Sequence, residues 1–397
     1  MLWTIAFALI IAVTFGFMAM SYRFERASGK KRLKALSCYP LISVLIPTYN
    51  SEKTVRKTLE SVVNSDYPNK EIIVINDSRD GTPGIARMFG AKVIQNSKRM
   101  GKAAALNQAA EEASGEFLMV LDSDTTLRKC AMTTLMKSYE DFESRGERVG
   151  IVAPKYAARN RRNIFARLSD IEQRMHQGLM RIQMNMGSIL SIRGSCMLVN
   201  RKAFDDVGGF SNTLLEDGDF TAKIIKAGYK IKYEPKAMVS IKEPETLASL
   251  LRAKKRYGKG TLYCAIRHVR PYVISPQSFV CFFPQFLLML ALLGISLYQN
   301  PLTIAPIAML LTSFTISGIT SYITIAAIGM LSIIGMLVGT QTITATNVTT
   351  IKSGLLGTLL PFVLFFVPLV TFAYITGAIS GISDKIHNRP ELEFSNW

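Results

Sequence analysis

The sequence predicts an α/β domain with a mostly parallel sheet, joined to an α-helical transmembrane bundle. Strand-like and helix-like segments alternate from Leu41 to about Pro154, which is typical of a parallel sheet covered by helices. The first 22 residues carry no charged side chain, and residues 276–383 carry only Lys352. Apolar stretches of this length belong in a bilayer, so we expect the α/β domain to lie between two membrane parts.

The alternating segments define the order of the predicted sheet. The strands read LISVLI, EIIVIND, AKVIQ and FLMVLDSD, and helices are expected over Ser51 to Asn64, Pro83 to Phe89 and Lys102 to Ala113. Ligands of such open sheets lie at the carboxyl ends of the strands. This rule selects four candidate binding segments: residues 47–50, residues 76–80, the loop before Lys102, and residues 122–124.

The N-terminal segment is predicted to cross the membrane once. Leu2 to Met20 has the length that a helix needs to span the hydrocarbon core, roughly 20 apolar residues. Its basic cluster follows the apolar run, whereas a cleavable signal peptide carries basic residues before it. We therefore expect a signal anchor at 1–22 and a basic juxtamembrane linker at 23–40, with the chain after Tyr22 in the cytoplasm.

Residues 276–383 are predicted to form a bundle of about four membrane helices. Phe279 to Leu297 and Leu355 to Ile379 each match one span, and residues 301–340 have room for two. Four spans return the tail, 384–397, to the cytoplasm; three spans or a re-entrant segment are the alternatives. The expected location is the cell membrane, in a multi-pass arrangement with a cytoplasmic α/β domain.

The formal net charge of +18 falls on the part of the chain before residue 276, because residues 276–397 hold equal numbers of basic and acidic side chains. A basic domain beside a membrane suits anionic lipid head groups and phosphorylated substrates. No nucleic-acid recognition motif accompanies the charge, so no nucleic-acid partner is expected. Five scattered cysteines and three histidines predict neither a disulfide framework nor a zinc site.

Two carboxylates, Asp122 and Asp124, follow the buried strand that begins at Phe117. Residues i and i+2 of an extended chain share one face, so both side chains can reach one hard cation such as Mg²⁺ or Mn²⁺. The alternative is a turn at the strand end whose acids are solvated. On these residues alone, both interpretations stay open.

Four other residues at strand ends fit a nucleotide diphosphate. Thr48 and Tyr49 can offer a hydroxyl and an aromatic face to a base and ribose. Asp77 can accept a hydrogen bond, and Lys102 can neutralise charge on the ligand. Each residue also has an ordinary interpretation, because the first three suit turns and a lysine is commonly solvated.

Four segments resemble the donor-binding half of the family-2 glycosyltransferases, which have the GT-A fold. They are SVLIPTYN, IIVIND, GKAAALNQA and VLDSD, in the family's order and approximate spacing, and the resemblance covers roughly residues 41–260. It implies that Asp77 and Lys102 contact the base and ribose of a nucleotide sugar. It also implies that Asp122 and Asp124 hold the diphosphate with its Mg²⁺ or Mn²⁺, and it favours a UDP-sugar over a GDP-sugar.

A second acidic pair, Glu216 and Asp217, begins a stretch that we expect to be helical through Ala227. Acids in a first helical turn, including Asp219, can serve only to cap the helix and offset its dipole. The preceding run, RGSCMLVNRKAFDDVGGF, resembles the segment that leads into the family's acceptor-site acidic motif. The resemblance implies that Asp217 is the general base, which removes a proton from the acceptor hydroxyl while the anomeric carbon inverts.

The run LRAKKRYGKG resembles the QxxRW motif of the family's processive synthases, such as those of hyaluronan, chitin and cellulose. Arg256 matches the arginine and is implied to bind the diphosphate, because a planar guanidinium suits phosphate oxygens. Tyr257 takes the place of the tryptophan and is expected to stack on an acceptor sugar. Ala253 replaces the glutamine, which counts against a polymer synthase.

Residues 163–182 carry apolar side chains at three- and four-residue spacing, which predicts a helix with one apolar face. Its arginines favour an interfacial helix lying on the inner leaflet, and an ordinary domain helix is the alternative.

The cytoplasmic domain, 41–260, is predicted to contain a donor half, 41–155, and an acceptor half, 156–260. An interfacial segment, 261–275, is expected to follow it.

These features together predict an inverting, metal-dependent membrane glycosyltransferase that uses a cytoplasmic nucleotide sugar. Its expected activity is to polymerise a polysaccharide and to translocate it, with a glycan or lipid acceptor and membrane lipids as further partners. Transfer of a single sugar to a polyprenyl phosphate or another lipid is the alternative reaction. A non-catalytic transporter or binding protein is the alternative from another class, although transporters usually place ionisable residues within their spans.

Overall fold

The structure, a computed structural model, describes residues 33–278 and 367–387. The predicted N-terminal span and most of the predicted bundle lie outside these residues. Among the residues that are described, no helix combines the length and the apolar character needed to cross a bilayer.

The described part of the chain folds as an α/β domain around one eight-stranded sheet, with the order β3-β2-β1-β4-β7-β6-β8-β5. The strands are β1 (Ile42–Thr48), β2 (Lys70–Asn76), β3 (Lys92–Gln95), β4 (Phe117–Leu121), β5 (Thr126–Leu127), β6 (Val149–Ala158), β7 (Cys196–Asn200) and β8 (Lys230–Ile241). Four of the strand pairings are parallel, and β5 and β7 supply the antiparallel ones. The predicted α/β class with a mostly parallel sheet is confirmed.

Helices connect most of these strands. They are α1 (Val55–Val63), α2 (Thr82–Met88), α3 (Lys102–Glu111), α4 (Ala131–Glu143), α5 (Ile164–Asn185), α6 (Arg201–Asp206), α7 (Glu216–Lys226), α8 (Leu247–Arg267) and α9 (Val367–Ile386). The first helix starts later than the predicted Ser51, because the backbone turns there: the N–H groups of Thr54 and Val55 both donate to the carbonyl of Ser51.

The central strands are apolar on both faces and separate two hydrophobic cores. On one face of the sheet Val44 and Met119 pack with α1 and α4, and on the other face Leu45 and Leu118 pack with α3. All four side chains are fully buried. Continuous apolar runs are typical of strands that helices cover on both sides, which explains why these strands lack polar alternation.

The register of the sheet brings the predicted ligand-binding segments to one edge. Thr48, the last residue of β1, pairs with Asn76, the last residue of β2. Leu45 pairs with Val120, so β4 ends beside them and Asp122 leaves the sheet at the same edge. This edge is formed by the carboxyl ends of three parallel strands, where a ligand site is expected.

The predicted interfacial helix, residues 163–182, corresponds to α5, whose apolar face packs largely inside the domain. Leu168, Ile171 and Ile182 are each 6% exposed, and Ile164 at the start of the helix is 47% exposed. The burial matches the alternative prediction, an ordinary domain helix. It does not match a helix whose whole apolar face meets lipid.

Two predicted boundaries fall inside regular elements. Residue 155 lies within β6, which pairs with β8, so the donor and acceptor halves share one continuous sheet. Residue 260 lies within α8, which continues to Arg267 before a π-helical turn at Arg270–Ile274.

α9 packs along α8, and Lys259 of α8 forms an ion pair with Asp384 of α9.

Candidate active site

A cavity of about 430 Å³ opens at the carboxyl ends of β1, β2 and β4. Seven predicted site residues line it: Thr48, Tyr49, Asp77, Lys102, Asp122, Asp124 and Glu216. Three others, Asp217, Arg256 and Tyr257, are not among the lining residues. The cavity therefore joins the predicted donor residues to the first acid of the predicted acceptor motif.

Lys102 connects the two sets of acids. Its Nζ lies 2.7 Å from Oδ1 of Asp122 and 3.1 Å from Oε1 of Glu216, and it donates a 3.3 Å hydrogen bond to the carbonyl of Gly194. Burial by itself lowers the pKa of this ammonium, but the carboxylates of Asp122 and Glu216 outweigh it, so that the pKa is raised above its usual range. Lys102 is a permanent positive charge between the acids, not a solvated surface lysine.

The two acids that follow β4 have different surroundings. The backbone N–H of Asp122 donates to the carbonyl of Ser195, which fixes the strand end against the loop before β7. Burial and the charge of Asp122 both raise the pKa of Asp124, while Arg159, Lys102 and Arg193 oppose the shift. The two carboxylates are thus close enough to repel each other, which favours a cation between them.

Carboxylate oxygens are the ligands that hard divalent ions prefer, so Asp122 and Asp124 fit Mg²⁺ or Mn²⁺ chemically. Within the described residues, no group of three or more His, Cys, Asp or Glu side chains is arranged to hold a metal ion. Mg²⁺ is usually bound by one or two carboxylates plus substrate phosphates, not by a cage of protein ligands. The pair therefore suits an ion that arrives with a diphosphate.

Asp217 lies just beyond the cavity, in the first turn of α7. Its Oδ2 accepts a 2.7 Å hydrogen bond from the N–H of Gly194, and its Oδ1 accepts one of 2.7 Å from the N–H of Gly218. Burial and the neighbouring Glu216 raise its pKa to about 6, although Lys102 and the two backbone donors oppose the shift. A carboxylate with this pKa is suited to accept a proton near neutral pH.

The third acid of this turn, Asp219, points away from the cavity. It is fully buried, and its Oδ1 lies 2.8 Å from Nε2 of His268 and 3.1 Å from Nη1 of Arg267. The three acids of α7 therefore have separate environments. Glu216 faces the cavity, Asp217 is held by backbone donors, and Asp219 anchors the helix to the end of α8.

The structure gives Thr48 and Asp77 roles within the protein. The Thr48 hydroxyl contacts the carbonyl oxygen of Ile75 and Oδ1 of Asn76, each at 2.9 Å, so its proton is used inside the sheet. Asp77 accepts hydrogen bonds from the N–H groups of Met100 and Gly101. Its carboxylate thereby holds the loop that leads to Lys102.

Tyr49 is the more accessible of the two predicted base-binding residues at the carboxyl end of β1. Its side chain is 43% exposed, and the guanidinium of Arg99 lies 4.0 Å from the ring centroid. Both residues line the cavity. The prediction of an aromatic face near the ligand is consistent with this position, and Arg99 adds a cation that sequence reasoning had not singled out.

Arg256 and Tyr257 lie on α8, outside the lining of the cavity. Tyr257 is hydrogen-bonded to Arg193, whose guanidinium is also paired with Glu243 at 2.6 Å. Arg193 directly precedes Gly194, the residue that holds Asp217. The helix thus reaches the surroundings of Asp217 through Arg193.

Gly194 is the main site residue that sequence reasoning missed. A Cβ at this position would lie 2.8 Å from Oδ2 of Asp217 and 2.9 Å from its Cβ. The close approach therefore requires glycine. The signal was present in the run RGSC, where a glycine lies two residues before a buried strand, but nothing local indicated its distant partner.

Another groove, of about 620 Å³, lies near Phe117 at the opposite end of β4. Its charged side chains form pairs with each other, Arg201 with Asp205 and Lys202 with Asp206. These pairs are exposed i,i+4 contacts of a short helix, which are worth little and need no ligand. The smaller cavity at the carboxyl ends of the strands is the better candidate site.

The fold and the cavity define a GT-A-like α/β domain. The mannosyltransferase PcManGT from Pyrobaculum calidifontis, solved in complex with GDP-Man and Mn²⁺, shares this fold with a TM-score of 0.60. The match covers 97% of this chain and 100% of the mannosyltransferase chain at 19% sequence identity, so it concerns the fold.

Residues 43–208 match the family model for glycosyl transferase family 2. This part of the chain is a glycosyl transferase family 2 domain, as the sequence motifs indicated. It is 34% identical over 239 residues to the poly-beta-1,6-N-acetyl-D-glucosamine synthase of Staphylococcus epidermidis, covering 58% of this chain and 57% of that protein. It is 32% identical over 265 residues to the probable glycosyltransferase YdaM of Bacillus subtilis, covering 63% and 61%. The matches thus span about three fifths of these relatives.

Proposed function

We propose that this family-2 enzyme transfers N-acetylglucosamine from its UDP conjugate to a growing polysaccharide. The observation that carries the proposal is the salt-bridged link from Asp122 through Lys102 to Glu216, which joins the donor and acceptor residues in one cavity. The choice of sugar is supported by the similarity to the poly-beta-1,6-N-acetyl-D-glucosamine synthase.

On the donor side, Asp122 and Asp124 would hold a divalent ion together with the diphosphate. Such an ion, when bound, neutralises charge on the leaving nucleoside diphosphate. Lys102 and the neighbouring Arg99 place two further positive charges on the cavity wall. Tyr49 offers its ring to the base, and Asp77 orients the loop that carries Lys102.

On the acceptor side, Asp217 would accept the proton of the attacking hydroxyl at one carboxylate oxygen. The N–H groups of Gly194 and Gly218 fix the orientation of that carboxylate. The attacking oxygen approaches the anomeric carbon from the face opposite the diphosphate, so the configuration inverts. Arg256 would contact the diphosphate, and Tyr257 would contact the acceptor sugar.

The membrane setting is part of the proposal. It is supported by the uncharged N-terminal segment and by residues 276–383, in which Lys352 is the only acidic or basic residue. In this arrangement the α/β domain faces the cytoplasm, where the nucleotide sugar is found. The polymer would leave through the membrane bundle.

Transfer of one sugar to a lipid acceptor is the second candidate, because Ala253 stands where the processive synthases have glutamine.

The two candidates are tested by incubating the full-length protein in detergent with a panel of UDP- and GDP-sugars plus Mg²⁺ or Mn²⁺ and measuring the size of the product. A long polymer made from UDP-N-acetylglucosamine supports the proposal. A lipid-soluble monosaccharide adduct supports the second candidate, and binding without transfer contradicts both.

A further inference from the structure

The C-terminal end of α8 and the turn after it contact the first turn of α7, which carries Glu216 and Asp217. We propose that Arg267, His268 and Tyr272, called here the α8-end clamp, position Asp217 for proton transfer. The clamp residues do not line the cavity, so they are positioning residues. The inference rests on the proposed function of Asp217 as the base.

The first contact of the clamp is with Asp219. His268 is 5% exposed, and its Nε2 lies 2.8 Å from Oδ1 of the fully buried Asp219. Arg267 donates to the same oxygen at 3.1 Å. Burial raises the pKa of Asp219, but hydrogen bonds from Ser211, His268 and Arg267 outweigh it and leave the pKa below its usual range. Asp219 is therefore a buried anion whose energy depends on the clamp.

The second contact acts on the peptide next to the base. The Tyr272 hydroxyl donates a 3.2 Å hydrogen bond to the carbonyl of Gly218, which also accepts one of 2.9 Å from Thr221. The N–H of the same Gly218 donates to Asp217 at 2.7 Å. The clamp thus holds the carbonyl of the residue whose N–H orients the catalytic carboxylate.

Small residues allow α8 to approach this turn closely. A Cβ on Gly260 of α8 would lie 2.3 Å from Cγ of Leu215, the residue just before Glu216. A Cβ on Gly218 would lie 3.1 Å from the Tyr272 hydroxyl and 3.3 Å from Sγ of Cys264. Neither glycine has free space for a side chain at these contacts. A displacement of the end of α8 would therefore also move the first turn of α7.

The α8-end clamp lies close in sequence to the predicted membrane bundle. The clamp ends at Tyr272, immediately before the nearly uncharged region 276–383. The orientation of Asp217 therefore depends on the same segment that leads into the proposed membrane bundle. A shift of that segment would be transmitted to the base through Asp219 and Gly218.

The test compares His268→Gln with His268→Leu in the full-length protein. Glutamine can place an amide N–H where Nε2 of His268 donates, whereas leucine fills similar space without a donor. We expect kcat to fall about tenfold in the leucine variant, the effect of losing one hydrogen bond to a charged group, and to be largely retained in the glutamine variant. The KM for the nucleotide sugar and the Kd for UDP should be unchanged in both.

A second measurement needs no substrate and covers the case in which the leucine variant folds poorly. Tyr272→Phe keeps the ring and removes the hydroxyl, which donates to Gly218 and also contacts Thr221 and Ser191, so hydrogen exchange in residues 213–222 should become faster while the melting temperature changes little. Equal kcat in both His268 variants, or unchanged exchange in Tyr272→Phe, overturns the clamp. An inactive wild type with faster exchange in Tyr272→Phe contradicts the proposed function, whereas the contact between Tyr272 and Gly218 remains supported.

Discussion

The backbone N–H of Gly194 donates a 2.7 Å hydrogen bond to Oδ2 of Asp217. This contact joins the loop before β7 to the first turn of α7 and leaves no space for a side chain at position 194. The carbonyl of the same glycine accepts a hydrogen bond from Lys102. Gly194 thus contacts both Lys102, the charge that links Asp122 to Glu216, and Asp217, the proposed base.

Replacing Gly194 with alanine should displace the carboxylate of Asp217. We expect kcat to fall about 10²-fold, the cost of a misplacement of about 1 Å, with little change in nucleotide affinity. Steady-state kinetics and UDP binding measure the two effects separately. The control is Gly84→Ala in α2, where a Cβ meets nothing within 4 Å, so activity should be kept. Full activity in Gly194→Ala contradicts the role assigned to the contact.

Asp217→Asn keeps the shape of the side chain and removes its basicity. Loss of a general base typically lowers kcat by about 10²–10⁴-fold, and we expect a value in this range with UDP binding retained. The matched control is Asp205→Asn, because Asp205 is 56% exposed and forms only a surface pair with Arg201. A fall of similar size in both variants indicates a general loss of folded protein, which the melting temperature checks.

The rate should depend on pH through Asp217. Its pKa is raised to about 6, and only the deprotonated carboxylate can accept the proton of the acceptor. kcat/KM should therefore fall as the pH decreases below about 6. Glu216→Gln removes a charge that raises the pKa of Asp217. In this variant, the pH at which kcat/KM falls to half of its maximum should therefore be lower than in the wild type. A higher half-maximal pH than in the wild type contradicts the assignment.

Lys102→Met should strengthen the binding of Mn²⁺ in the absence of nucleotide. The ammonium of Lys102 lies 2.7 Å from Asp122 and repels any ion that approaches this carboxylate. Two unit charges 4 Å apart repel by about 1 kcal/mol even at the dielectric constant of water, so affinity should rise at least about fivefold. Electron paramagnetic resonance of free Mn²⁺ measures the change. Lys102→Arg keeps the charge and should bind Mn²⁺ as weakly as the wild type.

The sequence predicted the strands and the site residues of residues 41–155, because apolar runs and residue types can be read from short stretches of the chain. Four strands, and the acids that follow two of them, could be placed by apolar runs and by the rule that ligands bind at carboxyl strand ends. Asp122, Asp124 and Lys102 were identified in this way, and they line one cavity. The resemblance to the family then predicted an acceptor role for Glu216 and Asp217.

The partners of individual side chains could not be predicted, because they come from distant parts of the chain. Thr48 uses its hydroxyl proton within the sheet, and Asp77 holds a backbone loop. Asp219 was grouped with two other acids by sequence position, but in the fold it binds His268. Which atoms a polar side chain contacts depends on how helices pack, and helical spacing alone does not specify this.

The sequence by itself determined the α/β class, the strand ends that form the site and the chemical types of the site residues. These properties follow from hydrophobic periodicity and from residue identity, which act over short distances along the chain. Only the tertiary structure decided that Lys102 bridges the two sets of acids and that Gly194 and the end of α8 hold the turn of Asp217. These relationships depend on the close packing of segments far apart in sequence, where a single Cβ is enough to prevent the contact.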